Sequence, residues 1–233
     1  MLRFLKEHPA AVALILTAVV AVLSRFVPDS YSASVVGLAF LGATYALAIA
    51  GRSDAEVRAS ALSLGGVFES QPLNAERMLR DSARALAFAL AAAMLIFPAF
   101  VWGFVFWWHP THAFHFQQPA SWNDELLGQA LVIALPEEAF YRGYLMHAFD
   151  AKSTRRVRLL GVPVGSSLLW TSSLFAIGHL ATEPNPARLA VFFPALVFGW
   201  LRLKTGGIGA AVLFHVFCNV FASTLGRGYG LWH

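Results

Sequence analysis

The stretch "LVIALPEEAFYRGYLMHAF", Leu131 to Phe149, decides how the chain is read. It is apolar enough for a membrane-spanning helix, yet its centre holds two adjacent glutamates and an arginine. A charge at the bilayer centre costs roughly 2.5 to 3.5 kcal/mol on insertion scales, and such residues mark functional sites by default. On a helix, side chains four apart share a face, whereas adjacent ones diverge by about 100°. Glu138 and Arg142 therefore pair, with the acid N-terminal to the base, the better orientation. Glu137 has no such partner within its own helix. It sits in low dielectric beside a second negative charge, an environment that suits a carboxylate to general-base work. The competing structural reading is an ion network that only fixes helix register.

Working outward, the whole chain shares this apolar character. Of its 233 residues, 58% are hydrophobic and 13% charged, and the mean hydropathy is +0.61. A soluble domain carries about 25% charged residues. The expected fold class is therefore all-α, a polytopic transmembrane helical bundle. About 20 apolar residues make a span, and seven candidates follow, at roughly 9–27, 31–50, 85–108, 126–149, 164–182, 188–203 and 209–226. The second holds Gly37 and Gly42, small residues that let helices approach closely. The third contains Pro98, a kink site, and ends in "VWGFVFWWHP", which reads as an interfacial aromatic belt.

The basic residues test this topology. With the N-terminus cytoplasmic, 13 of the 17 Lys and Arg fall in inner segments: Arg3, Lys6, the loop from Arg52 to Arg84, Lys152 to Arg158, and Arg202 with Lys204. The outer segments carry Arg25, Arg188 and Arg227, and Arg142 lies within a span. Positive residues favour the cytoplasmic side. The pI of about 9.6 thus reads as topology and not as nucleic-acid binding. The expected location is a bacterial inner membrane. The stretch "MLRFLKEHPAAVALILTAVVAVLS" has the build of a secretory signal, but no clear A-x-A site follows, and an uncleaved first span is expected. The loop 51–84 reads as an amphipathic helix entering the third span, with a capped start at Asn74. The single cysteine, Cys218, excludes an internal disulfide.

Two later spans add polar faces. "SSLFAIGHLA" places Phe175 and His179 four apart, and "AAVLFHVFCNVFAS" does the same for His215 and Asn219. A lone intramembrane histidine is commonly a helix–helix hydrogen bond. Three spans that each supply acid–base residue types point instead to hydrolysis of an amide.

Glu137-Glu138-x-x-x-Arg142, Phe175-x-x-x-His179 and His215-x-x-x-Asn219 resemble, in order, the three signature motifs of the CPBP (CAAX protease and bacteriocin-processing) family, which includes the type II CAAX prenyl endopeptidases. The resemblance covers roughly Leu126 to Leu225. It implies an intramembrane glutamic endopeptidase in which Glu137 activates water with help from His179. His215 and Asn219 would form the oxyanion hole, and Glu138 and Arg142 would shape the site. The implied substrate is a membrane-associated protein or peptide in the lipid bilayer, with no cofactor. Residues 1–125 then form an N-terminal unit of three spans without a signature, and 126–233 a catalytic core of four.

Rival readings remain. Two histidines and a carboxylate can bind zinc, although no H-E-x-x-H helix is present. His109, His112 and His115 are a second candidate metal set in the outer loop. A non-catalytic immunity or assembly protein, or a transporter, could use the same bundle.

Overall fold

The computed structural model describes residues 7–63, 74–153 and 155–231. Helix α1 spans Pro9–Phe26, and α2 spans Asp29–Ile49, its last turn widened over Tyr45–Ile49. A short α3, Asp54–Ala59, is closed at its start by a capping box in which Ser53 and Glu56 satisfy each other's backbone N–H groups. Helix α4 runs over Ala75–Trp108, continuing through Pro98. Its first turn is capped as expected, the Asn74 side chain accepting from Arg77 N–H at 2.9 Å. The rest of the expected amphipathic segment, 64–73, lies outside the described residues, as do residues 1–6 of the signal-like stretch.

Helix α5 is unbroken over residues 122–150. A two-stranded hairpin follows, β1 (Arg156–Leu159) and β2 (Val162–Gly165), paired antiparallel with Arg156 opposite Gly165. Its two-residue turn, Leu160-Gly161, has both residues at positive φ, the geometry that matches strand twist. Helix α6 (Ser166–Thr182), α7 (Pro186–Thr205, opening with a 3₁₀ turn) and α8 (Gly209–Gly228) complete the bundle.

Among the described residues, α1, α2, α4, α7 and α8 are long and apolar enough to cross a membrane. The chain is an all-α integral membrane protein, and the expected count of seven spans is approximate. The fourth and fifth expected spans are helices of another kind. Helix α5 carries its own charges, and α6 has 17 residues because the hairpin takes Val162 to Gly165, where the fifth span was expected to begin.

Helix α5 sits at the centre, against α2, α6, α7 and α8. Helix α1 bridges α2 and α6, and α4 lies outside α7 and α8. Close approach of α2 to α5 depends on Gly37, where a Cβ would lie 2.5 Å from the Val132 carbonyl oxygen. That carbonyl is four residues before Pro136, which has no N–H to offer it. Gly42, by contrast, has open space around it. Large apolar side chains on α1, α2 and α4 point away from the protein, Leu38, Met94 and Leu95 among them. Outside water, such a surface faces lipid.

The basic segments collect at one end. Arg84 donates to the Lys204 carbonyl (3.0 Å), Arg202 to the Ser60 carbonyl (3.4 Å), and Arg156 pairs with Asp150 (3.6 Å). At the opposite end Arg227 pairs with Glu125 at 3.1 Å, and the His115 N–H donates to the Gly228 carbonyl.

Candidate active site

Helix α5 widens on either side of its two glutamates. Two stretches with π-helical hydrogen bonding, Gly128–Ala134 and Ala139–Leu145, flank the regular turn Leu135–Glu138. Such bulges occur mostly as single turns and frequently at functional sites. Pro136 contributes by having no N–H to offer the carbonyl of the preceding turn.

Glu138 and Arg142 are wholly buried, and Glu138 Oε2 lies 3.2 Å from Arg142 Nε. That approach is an ion pair without the angle of a hydrogen bond, since both atoms lack a hydrogen-bond partner. The guanidinium is held from three further sides. Its Nη2 donates to the Ala195 carbonyl at 3.1 Å, and the group lies 4.5 Å from the Phe175 ring centre and 5.0 Å from that of Phe198. Breaking such a pair strands a buried charge, at a cost of about 3–5 kcal/mol.

The second oxygen of Glu138 reaches across the bundle. Its Oε1 accepts from His215 Nδ1 at 3.0 Å. The imidazole stacks on Phe198, with ring centres 4.7 Å apart. Nε2 of His215 is thereby turned towards Glu137, 3.8 Å from its Oε2. Glu137 Oε2 itself has no hydrogen-bond partner. The two adjacent acids thus differ in environment. Glu138 has one oxygen hydrogen-bonded to His215 and the other in ion-pair contact with Arg142, whereas Oε2 of Glu137 has only the longer approach to His215.

His179 lies in the last turn of α6. Its Nδ1 is 3.0 Å from the Phe175 carbonyl oxygen, which can only accept, so Nδ1 carries the proton and Nε2 the lone pair. The Phe175-x-x-x-His179 spacing therefore does local work: one turn of helix fixes the tautomer. Asn219, on α8, donates from Nδ2 to Gln129 Oε1 at 2.8 Å.

Glu137, His179, His215 and Asn219 line one cavity of about 350 Å³, together with Phe175 and Phe198. Glu138 and Arg142 stand behind it. A second cavity, about 380 Å³, lies between α5 and the N-terminal helices α1 and α2 and also reaches Glu137 and His179. A larger apolar groove between α4, the hairpin, α6 and α7 holds none of the six candidate residues.

Two residues in this site escaped the sequence reading. Gln129 was the lone amide in the fourth expected span, a signal that could have been used. Arg188 counted only as an outer charge, yet it lines both cavities and pairs with Glu183 at 3.3 Å. Conversely, His109, His112 and His115 do not converge: among the described residues no three His, Cys, Asp or Glu side chains form a metal-ligand group.

No curated protein and no solved structure matches the chain. The sequence model of one family does. Its description is type II CAAX prenyl endopeptidase Rce1-like, and the match covers residues 120–221, which include all six candidate residues, both wide turns and most of the cavity wall. The resemblance carried by the three ordered motifs is borne out, and residues 120–221 are identified as Rce1-like, similar to a family of membrane endopeptidases.

Proposed function

We propose that the protein is an intramembrane endopeptidase that hydrolyses a peptide bond of a membrane-associated protein or peptide through a glutamate-activated water. The observation that carries this reading is the shared cavity: an unpartnered glutamate oxygen, two imidazoles and a carboxamide from three helices face one small chamber.

In this mechanism Glu137 takes a proton from water as the water oxygen attacks the scissile carbonyl carbon. His179, whose Nε2 holds a lone pair, orients the same water. The new C–O bond places negative charge on the former carbonyl oxygen. Asn219 keeps one amide N–H beyond the bond to Gln129 and donates it there. His215 donates its Nδ1–H to Glu138, so only an imidazolium there has a second N–H, at Nε2, to offer the oxyanion. Donors of this kind contribute typically about 2.7–4 kcal/mol each, more in a water-poor site than in bulk solvent. Collapse of the intermediate breaks the C–N bond, and the proton held by Glu137 passes to the leaving amine. Glu138 and Arg142 touch none of the reacting atoms. They position His215.

The reaction uses no metal ion in this reading. The test compares protein N- and C-termini in membranes of cells carrying the wild-type chain or Glu137→Gln. Termini produced by the wild type should vanish in the variant. The same termini in both samples would sink the assignment.

A further inference from the structure

Both cavities that reach Glu137 extend in the same direction. The first continues past the acid–base residues to Gln129 on α5, Arg188 on α7, and Ala222 and Ser223 on α8. The second continues to Ser24, Asp29 and Ser32, where α1 turns into α2. All of these positions lie on the Glu125–Arg227 side of the site. None of the basic residues of the opposite end lines either cavity.

The bundle wall explains the opening. Helix α6 ends at Thr182, within a turn of His179, and the chain reverses through Asn185 into α7. Helix α5 extends roughly 20 Å beyond Glu137 towards Trp122, and α8 about 13 Å beyond Asn219, at 1.5 Å per residue. The α6–α7 joint is therefore a low point in a taller wall, directly above His179. Towards the basic end the site is sealed. Phe140, Leu145 and Met146 on α5, Leu201 on α7 and Ala211 on α8 are fully buried there.

We infer that the chamber is fed from the membrane face opposite the basic loops, and that its substrates are peptide segments presented at the non-cytoplasmic surface. The side follows from charge. Lys152, Arg155, Arg156, Arg158, Arg202 and Lys204 cluster at the sealed end, and short basic segments stay in the cytoplasm. Tails held on the cytoplasmic leaflet would meet the apolar seal and not the chamber. The inference deepens the proposed peptidase reading by stating where the substrate comes from.

The test needs no substrate. On a Cys218→Ser background, Ser223→Cys probes the first cavity, Ser32→Cys the second and Arg158→Cys the exposed basic end. Each full-length variant is labelled with a membrane-impermeant charged maleimide in right-side-out and in inside-out vesicles. Ser223→Cys and Ser32→Cys should label several-fold faster in right-side-out vesicles, and Arg158→Cys several-fold faster in inside-out ones. If Ser223→Cys fails to accumulate in the membrane, Ala222→Cys replaces it. Labelling of cavity cysteines from the same side as Arg158→Cys overturns the inference, as does reaction from neither side or a reversed pattern. Loss of processing in Glu137→Gln is read separately, so failure of the access route and failure of the chemistry are distinguishable.

Discussion

Helices α4 and α5 have similar lengths and opposite surroundings. Helix α4 is an apolar rod at the edge of the bundle, with Met94, Leu95 and Trp102 each more than 70% exposed to what must be lipid. Helix α5 carries three charges near its centre, is covered by four neighbours, and leaves Glu138 and Arg142 with no exposure at all. One helix is held in place by the solvent it prefers. The other is held by the groups it must not expose. Apolarity therefore finds the membrane, and departures from apolarity find the polar chamber.

The comparison breaks most readily at Glu138. Glu138→Ala should strand Arg142 and release His215, costing about 3–5 kcal/mol of stability. Thermal unfolding in detergent checks it: a midpoint near that of the wild type would mean that the pair is not a structural support. Glu137→Gln is the contrasting case on the same turn. It removes only the 3.8 Å approach to His215 and leaves the Glu138–Arg142 pair in place, so unfolding should shift little, while turnover should fall by about 10²–10⁴, the usual range for loss of a general base. A large loss of stability would return Glu137 to the register-fixing reading.

Next comes Gly37→Ala. The added methyl would press on the Val132 carbonyl, and overpacking of this kind costs typically about 1–3 kcal/mol. Gly42→Ala on the same helix meets nothing and should raise the melting midpoint slightly, by the helix-propensity gain of up to about 1 kcal/mol, so the pair isolates close approach from helix propensity. Gln129→Ala should have a smaller effect still. It frees the Asn219 amide from its only side-chain partner among the described residues, and loss of one such bond is about 0.5–1.5 kcal/mol. Single-turnover rates should fall with little change in substrate affinity. Leu95→Ala on α4 should do least of all, since a lipid-facing side chain exchanges one apolar neighbour for another. Activity after exhaustive chelation separates the mechanisms: it should persist, and loss restored by zinc would favour the metal reading.

Much of this was legible in the residues. The i,i+4 rule paired Glu138 with Arg142 correctly because that contact is local. The bond from Glu138 to His215 joins helices far apart in the chain, and no spacing rule reaches it. Small-residue logic found Gly37 but gave Gly42 the same weight, because only the neighbouring helix tells them apart. The hairpin was overlooked because Val162-Pro-Val-Gly165 continues smoothly into an apolar run. The alternation Arg156, Val157, Arg158, Leu159 was its available signal. Arg188 could not be told from a topological charge without the reversal at Asn185, which brings it back over the chamber.

The wide turns of α5 make the register of its carboxylates fragile in a particular way. Removing one residue between Gly128 and Ala134 would leave a helix as apolar as before and as able to cross a bilayer. Yet each residue advances a helix by about 100°, so Glu137 would swing off the chamber and Glu138 away from His215. Insertions and deletions of single codons here should thus separate biogenesis from turnover: the polypeptide would still be made, inserted and retained, while the proposed hydrolysis would be lost.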